Sequence, residues 1–319
     1  MPPKTLNLPI YDQLSGCKNL LIAGMGGGFD VFCGLPIYFE LKARGQNVHL
    51  ANLSFSELEE LKDAIYLTDS LVGVTADHAN ARPYFPEAYL AQWFRSIGQE
   101  TTLWAFGKSG VRPLLKNYRK LVDHLAIDGL LLIDGGVDSL VRGDETDIGT
   151  ALEDAASLAV VNELTDVPIR LMGCVGFGIE RDMAYGHIFE NIATLTAEGV
   201  FLGSCSMLRE MESYQHYEAA LLAVQNVPDQ DSSVINSSII SAVRGHYGNY
   251  HLTEKTENSA MWISPLMPIY WFFDLPGVAR HNHFLSHIME TEDAVDLFRA
   301  MYKFRLRTRM RAPFRTPLS

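Results

Sequence analysis

The chain has 319 residues, of which 47% are hydrophobic and 20% charged, which is typical of a globular protein with a large core. Its formal net charge of -12 argues against a nucleic-acid partner, because phosphate backbones bind cationic surfaces. No uncharged stretch approaches the roughly 20 residues of a membrane helix, and residues 1–5 lack the pattern of a signal peptide. We therefore expect a cytoplasmic protein that contacts neither nucleic acid nor membrane.

The first part of the chain predicts a βαβ unit. Strand, glycine-rich loop, helix and strand follow one another over residues 17–23, 24–30, 31–44 and 47–52. Ser54 and Glu57 then match a capping box, which predicts a helix over residues 57–64.

Strand and helix patterns continue to alternate further along the chain. Strands or apolar runs are predicted over residues 101–106, 129–133, 167–172 and 199–203, and helices over residues 112–125, 152–164 and 185–198. This alternation predicts an α/β, Rossmann-like fold, in which a mostly parallel, doubly wound sheet carries helices on both faces. No linker divides the chain, so we expect a single domain over residues 1–319.

The chain is less regular from about residue 228. An aromatic run over residues 269–273 predicts a strand, and residues 291–302 predict a closing helix. Arginine alternates with mostly apolar residues over residues 304–311, which predicts an edge strand with one basic face.

The glycine-rich loop favours an anion site. Small residues let the backbone approach a phosphate at a helix N-terminus, here at Gly24, Gly26, Gly27 and Gly28. Asp30 departs from the dinucleotide-binding pattern and would repel a pyrophosphate unless a cation intervenes; its structural role would be an N-cap. An NAD-linked oxidoreductase needs an acidic residue at the end of the second strand, where Asn52 stands instead.

Seven carboxylates crowd residues 133–154, directly after an apolar predicted strand. This is the edge at which open α/β sheets build ligand sites. Converging carboxylates repel one another unless a proton or a hard cation offsets their charge, so we predict Mg²⁺ bound by Asp134, Asp138 and Asp144. The alternative is a loop held by internal hydrogen bonds.

Other members of this segment have simpler interpretations. Thr150 and Glu153 match a capping box, and Asp147 and Asp154 suit solvent or a helix start. The predicted catalytic residues are Asp30, Asp138, Arg142 and Glu145, with Asp30 or Glu145 as general base. Further predicted ligand-binding residues are Lys108, Ser109, Gly135, Gly136 and Ser139.

Several other motifs occur along the chain. Residues 107–110 contain Gly-Lys-Ser, but Thr102 replaces the earlier glycine of a P-loop, and no nucleophile elbow is present. A histidine cluster, His281, His283 and His287, has the spacing of a transition-metal site. His187 and Glu190 are candidates for an acid–base pair, and residues 245–248 with Asn236 and Arg244 offer polar groups that could close over a substrate. Cys205 is a candidate nucleophile, although a buried structural role is commoner for cysteine. The four cysteines form no C-x-x-C pair, which favours reduced thiols.

Three motifs together carry a resemblance to a known family. The glycine loop with Asp30, the run Asp-Gly-Gly-Val-Asp-Ser-Leu-Val-Arg-Gly-Asp-Glu at residues 134–145, and residues 149–154 resemble the family catalogued as domain of unknown function 1152. The resemblance spans most of the chain and implies one domain with a Rossmann-like fold, without implying an activity. The Asp-Gly-Gly-x-Asp run is also similar to the metal-binding aspartates of nucleoside hydrolases, although the order and spacing differ.

These features favour a metal-assisted enzyme, a hydrolase or transferase acting on a nucleotide, nucleoside or phosphosugar. A non-catalytic nucleotide or sugar sensor that uses the same crevice is the first alternative, and the NAD-linked oxidoreductase is the second. The partner is a small molecule rich in phosphate or hydroxyl groups, and a homo-oligomer remains open.

Overall fold

The computed structural model describes residues 9–149, 151–180, 183 and 185–312. Within them, nine strands form one sheet in the order β3-β4-β5-β2-β1-β6-β7-β9-β8. The strands are β1 (Asn19–Gly24), β2 (Asn47–Leu53), β3 (Ile65–Thr68), β4 (Leu71–Val74), β5 (Leu103–Phe106), β6 (Gly129–Gly135), β7 (Ile169–Val175), β8 (Phe201–Ser206) and β9 (Ile269–Asp274). Residues 1–5 and Thr150, the predicted cap of the helix after the acidic segment, lie outside the described residues.

The centre of the sheet is parallel. Strands β5, β2, β1, β6 and β7 all run in one direction. Antiparallel strands border them, since β4 pairs with β5 and β9 pairs with β7. The chain passes from β1 to β2 and β5 on one side, and later continues from β6 to β7 on the other. The order therefore reverses between β1 and β6, which is where sheets of this type form a crevice.

The described residues form twelve α-helices around this sheet. They are α1 (Tyr11–Leu14), α2 (Asp30–Cys33), α3 (Leu35–Ala43), α4 (Pro86–Ser96), α5 (Val111–Leu125), α6 (Ala151–Asn162), α7 (Tyr185–Ala197), α8 (Glu212–Gln225), α9 (Val234–Val243), α10 (Leu275–His281), α11 (Leu285–Ile288) and α12 (Ala294–Arg307). No helix among the described residues is both long and apolar enough to cross a membrane.

Both faces of the sheet are buried. Along β1, Leu20 and Ile22 belong to one hydrophobic cluster, while Leu21 and Ala23 belong to another. Successive side chains of a strand point to opposite faces, so the two clusters lie on opposite sides of the sheet. The predicted Rossmann-like α/β fold is therefore confirmed. The central strands are rich in apolar residues because both faces of the sheet are covered.

Some local predictions were wrong. The helix expected over residues 31–44 breaks at Gly34, where a Cβ would lie 2.7 Å from Ile22 Cγ2, because α2 packs closely against β1. Residues 57–64 form turns instead of a helix, and Leu58 and Leu61 of this segment are buried in a small cluster of their own.

The basic edge strand expected over residues 304–311 is also wrong. The first part of this segment continues α12 as far as Arg307. Met301 and Phe304, three positions apart, are buried against the core on one side of the helix. Burial at helical spacing therefore outweighs the alternation of arginine and apolar residues.

Candidate functional site

Three carboxylates converge at the carboxyl ends of β1 and β6. Asp30 begins α2, Asp134 lies in β6, and Asp154 lies in the first turn of α6. Each offers an oxygen that lies within 4.8 Å of the other two. The residues are buried, with exposures of 9%, 1% and 3%. We call these three residues the aspartate cluster.

Backbone contacts hold the surrounding elements in register. The Met25 amide donates to the Ile133 carbonyl at 2.9 Å, which continues the pairing of β1 and β6 into the glycine loop. Ser157 Oγ of α6 donates to the Met25 carbonyl at 2.8 Å. The loop after β1, the end of β6 and the start of α6 are therefore fixed together, and the three carboxylates meet as a consequence.

The carboxylates of the aspartate cluster differ in their hydrogen bonds. Asp30 Oδ2 accepts from the Gly26 amide at 2.6 Å, and Asp134 Oδ2 accepts from the Ser139 amide at 3.1 Å. Asp154 Oδ1 is buried without a hydrogen-bond partner among the described residues. Ser139 Oγ is likewise buried without a hydrogen-bond partner among the described residues. A buried oxygen without a partner is costly, so Asp154 Oδ1 is suited to accept a ligand that is not part of the chain.

Two further acidic residues adjoin the aspartate cluster. Glu180, which follows β7, accepts from the Val137 amide at 2.9 Å and from the Tyr185 hydroxyl at 2.7 Å. Asp138 is buried on the loop after β6, and its charge acts on all three clustered aspartates and on Glu180. The crevice thus gathers five carboxyl groups.

Burial, together with the density of acid groups, raises the pKa values in this crevice. Burial raises the pKa of Asp30 to about 8, and the negative charge of Asp138 adds to the effect. Burial, followed by the charge of Asp138, also raises the pKa values of Asp134 and Asp154 well above their usual range. The pKa of Glu180 rises to about 7 for the same two reasons. A bound proton or a cation would relieve the repulsion among these carboxylates.

Glycines leave room for these carboxylates. A Cβ on Gly24 would lie 2.9 Å from Asp30 Cβ, and one on Gly135 would lie 2.9 Å from Asp30 Oδ1. Gly26 is partly exposed, and its Cβ would lie 2.8 Å from Asp30 Oδ2 and 3.1 Å from Asp154 Oδ1. Gly26 therefore lies at the accessible side of the aspartate cluster, where a larger residue would intrude.

The comparison with protein families covers this whole arrangement. A family model described as Protein of unknown function (DUF1152) matches residues 21–311. The chain belongs to this family. No curated protein and no solved structure matches the chain. The DUF1152 match includes all five acidic residues of the crevice, and it confirms the resemblance inferred from the sequence motifs.

In this DUF1152 member the hydrogen-bonding groups of the glycine loop are largely paired with other groups of the chain. The Gly28 amide donates to the Leu53 carbonyl at 3.1 Å, and Asn52 Nδ2 donates to the Gly28 carbonyl at 2.8 Å. Gly27 has φ +91°, and the ring of Phe55 occupies the space that its side chain would fill. The amides of Gly26 and Gly28 thus already donate hydrogen bonds within the chain, and α2 is only four residues long. The anion site predicted at this loop therefore stays a prediction.

Lys108 and Ser109 follow β5 at the same edge of the sheet. Lys108 Nζ lies 4.2 Å from the centroid of the Phe55 ring, which itself packs on the glycine loop. Ser109 Oγ donates to the Gly110 carbonyl at 3.2 Å. Lys108 is exposed and places a positive charge beside the glycine loop, and its ligand-binding role stays a prediction.

The later acidic residues of the segment lie elsewhere. Arg311 Nε lies 3.0 Å from Asp144 Oδ1, and Arg311 Nη2 lies 2.6 Å from Glu145 Oε1. Glu145 is fully buried and also accepts from the amides of Arg142 and Gly143 at 2.9 and 2.7 Å. Burial acts to raise the pKa of Glu145, but these hydrogen bonds outweigh it and lower the pKa. We call Asp144, Glu145 and Arg311 the arginine-paired cluster.

This placement differs from the roles predicted for the segment. Asp144 does not belong to the aspartate cluster, because its carboxylate pairs with Arg311. Glu145 is occupied by structural hydrogen bonds, and Arg142 Nη2 lies 2.9 Å from His283 Nε2. The metal-ligand role of Asp144 and the catalytic roles of Glu145 and Arg142 therefore gain no support.

Two residues of the crevice were missed by the sequence interpretation. Asp154 was assigned to solvent or a helix start, but it shares the buried face of α6 with Ala151 and Leu158. That helical spacing was the signal that could have found it. Glu180 follows the second glycine-rich turn and had no comparable signal.

The other candidate residues have structural partners. His283 precedes α11 and is not on a helix with His287, whose ring packs 5.1 Å from that of Phe304. His281 Nε2 lies 2.8 Å from Glu198 Oε2. The predicted one-turn spacing of two histidine ligands is therefore absent from this described segment.

The predicted acid–base pair and the cysteine are likewise placed in structural roles. His187 Nε2 lies 2.9 Å from the Ala312 carbonyl, and Glu190 forms an ion pair with Arg311 at 2.7 Å. All four cysteines are free thiols, and burial raises the pKa of Cys205 to about 12, which opposes thiolate formation. Asn236 bonds to the Tyr217 hydroxyl at 2.8 Å and Arg244 to Glu218 at 2.8 Å.

Proposed function

We propose that this DUF1152 protein is a metal-dependent enzyme, and that the aspartate cluster of Asp30, Asp134 and Asp154 binds Mg²⁺. The reaction is hydrolysis of, or group transfer to or from, a nucleotide, nucleoside or phosphosugar. One observation carries the proposal: three buried carboxylates from three elements lie within 4.8 Å of one another, and Asp154 Oδ1 has no partner among the described residues.

The donor set favours a hard cation. All three ligands are carboxylate oxygens, which suit Mg²⁺, Mn²⁺ or Ca²⁺ better than zinc or copper. Around an octahedral Mg²⁺, at roughly 2.1 Å from the ion, neighbouring oxygens lie about 3.0 Å apart and opposite ones about 4.2 Å. The three oxygens lie within 4.8 Å of one another, so the side chains would draw together around one ion.

The neighbouring groups supply the remaining chemistry. A bound cation polarises a phosphoryl oxygen and lowers the pKa of a coordinated water. Asp138 and Glu180 lie next to the cluster, and Glu180, with a pKa of about 7, suits proton transfer near neutral pH. Lys108 offers a positive charge for the anionic part of a substrate beside the glycine loop.

The position in the fold supports the substrate class. The crevice at the switch between β1 and β6 is the usual ligand site of open α/β sheets, and their ligands are often nucleotides. A bound divalent cation would offset part of the repulsion that the carboxyl groups of the crevice exert on a phosphate.

The second candidate is a non-catalytic sensor that binds the same class of ligand. The near-complete burial of Asp134 and Asp154 favours it, because a closed cluster exchanges substrate less readily than an open one. Turnover distinguishes the two functions, since both give ligand-induced stabilisation but only the enzyme forms product.

The test is calorimetric titration of Mg²⁺ and Mn²⁺ into metal-free protein, followed by assays of nucleotides and sugar phosphates with the ion present. We expect Asp134→Asn and Asp154→Asn to lose ion binding and turnover. Asp147→Asn, an exposed change in the same acidic segment, is the matched control and should behave as wild type. Unchanged ion affinity in both cluster variants would contradict the proposal.

A further inference from the structure

Helix α12 has two apolar faces. The inner face, formed by Leu297, Met301 and Phe304, is buried against the core. The outer face consists of four large apolar side chains with exposures from 54% to 69%: Val295, Phe298, Tyr302 and Leu306. A surface helix normally carries only one apolar face, so the outer stripe needs a separate explanation.

The four exposed side chains form one continuous stripe. At about 100° per residue they fall within an arc of roughly 80° on the helix. The rings of Phe298 and Tyr302 are stacked, with centroids 6.2 Å apart and planes inclined by 11°. The stripe is therefore an ordered surface along about three turns, rather than a set of scattered residues.

Charged residues follow one flank of this stripe in a fixed order. Asp296 lies near the start of α12, and Arg299, Lys303 and Arg307 follow towards its end. Glu292 precedes the helix and is exposed. An antiparallel copy of the helix would place the acidic start of each α12 beside the basic end of the other. A parallel two-fold pair would place the charged flanks of the two copies on opposite sides of the interface, where they would not meet.

We propose that the outer stripe of α12 is the interface of a homodimer, in which two copies of α12 pack antiparallel across a two-fold axis. In this arrangement Phe298 of one copy faces Tyr302 of the other, and Val295 faces Leu306. The same patch serves both copies, which is the requirement for a closed two-fold dimer. Asp296 of each copy lies near Lys303 and Arg307 of the other.

The size of the stripe sets the strength of the dimer. Four side chains of this size, each more than half exposed, supply about 400 Å² per copy, against roughly 800 Å² in an interface of standard size. The charged flank contributes part of the remainder. We therefore expect a dimer that forms at micromolar concentration and dissociates on dilution.

The test is sedimentation velocity of the full chain up to about 100 µM, a concentration well above a micromolar dissociation constant. We expect twice the monomer mass for the wild type and the monomer mass throughout for Phe298→Ser/Tyr302→Ser. At a concentration low enough for the wild type to be monomeric, the thermal unfolding of the variant should match that of the wild type, because both side chains are exposed. Tyr247→Ser removes another exposed aromatic ring, 66% exposed, and should leave the dimer intact.

Charge reversal tests the antiparallel register. Asp296→Lys and Lys303→Glu should each weaken the dimer several-fold, and combining them should restore it. Failure of the double variant to recover would overturn the antiparallel arrangement. A wild type that stays monomeric at the highest concentration, or a dimer that survives loss of both aromatic rings, would overturn the interface. Sedimentation of monomers with phosphatidylglycerol vesicles through Phe298 and Tyr302 would assign the stripe to a membrane surface instead.

Discussion

The aspartate cluster and the arginine-paired cluster bury carboxylates in two different ways, although both draw on the acidic segment of residues 133–154. Glu145 is fully buried, yet Arg311 and backbone amides surround it, and its pKa is lowered. Asp154 is almost as buried, but its charged neighbours are other carboxylates, and its pKa is raised. Glu145 receives a countercharge within the chain, whereas the charges that act on the aspartate cluster are those of other carboxylates, and we propose that a cation supplies its countercharge.

The largest expected effect comes from removing the arginine. Arg311→Ala leaves the fully buried Glu145 without its countercharge, which should lower the free energy of unfolding by about 3–5 kcal/mol. Denaturant unfolding measures this change. Arg309→Ala, an exposed arginine two residues away, is the control and should change stability by less than about 0.5 kcal/mol. Equal effects of the two variants would show that Glu145 does not rely on Arg311.

Glu87 extends the comparison to a buried carboxylate outside both clusters. Its side chain accepts from Asn52 at 2.8 Å, and burial raises its pKa from 4.5 to about 7. The unfolded chain releases this proton first, so the free energy of unfolding falls as pH rises from 4.5 to 7 and is level above that. The loss attributable to Glu87 is about 3 kcal/mol.

Glu87→Gln removes the part of the pH dependence of the unfolding free energy that is due to Glu87. The stability of the variant, relative to wild type, should rise between pH 4.5 and pH 7, with metal absent from both samples. Urea unfolding at a series of pH values provides the measurement. Parallel pH profiles for the two proteins would mean that Glu87 is ionised throughout.

Neutralising one member of the aspartate cluster should raise the free energy of unfolding, whereas removing Arg311 should lower it. Asp154→Asn relieves repulsion among buried carboxylates, so we expect the metal-free variant to be more stable than wild type by about 1 kcal/mol. The same variant should lose the stabilisation that Mg²⁺ gives to wild type. A metal-free variant that is clearly less stable would assign Asp154 a purely structural role.

Gly26→Ala is the mildest test of the same cluster. The added Cβ would lie 2.8 Å from Asp30 Oδ2 and 3.1 Å from Asp154 Oδ1, so it should crowd a bound ion. We expect Mg²⁺ affinity to fall by roughly tenfold, about 1.4 kcal/mol. The metal-free protein should also unfold at a somewhat lower temperature, because the buried Asp30 carboxylate must shift to admit the Cβ. Gly16→Ala, where the added Cβ meets nothing within 4 Å, is the matched control.

The sequence was informative where local patterns determine structure. The apolar run at residues 129–133 and the glycines after residue 23 predicted two parallel strands and the edge at which Asp30 and Asp134 meet. This worked because strands buried on both faces are recognisable, and because parallel strands place their carboxyl ends together.

The division of the acidic segment could not be predicted in the same way. Arg311 lies 166 residues from Glu145, and nothing near Asp144 or Glu145 shows that an arginine from the far end of the chain reaches them. Asp154 enters the aspartate cluster because α6 turns that face towards the glycine loop. Both outcomes are set by tertiary packing rather than by residue spacing.

The most direct test of the central claim is an anomalous diffraction map from crystals of the full chain soaked in Mn²⁺. A single strong peak within bonding distance of Asp30, Asp134 and Asp154 is the expected result, and Asp154→Asn crystals should lack it. Ordered density with no peak at these residues, or a peak at Asp144 and Glu145 instead, would contradict the metal site and the function built on it.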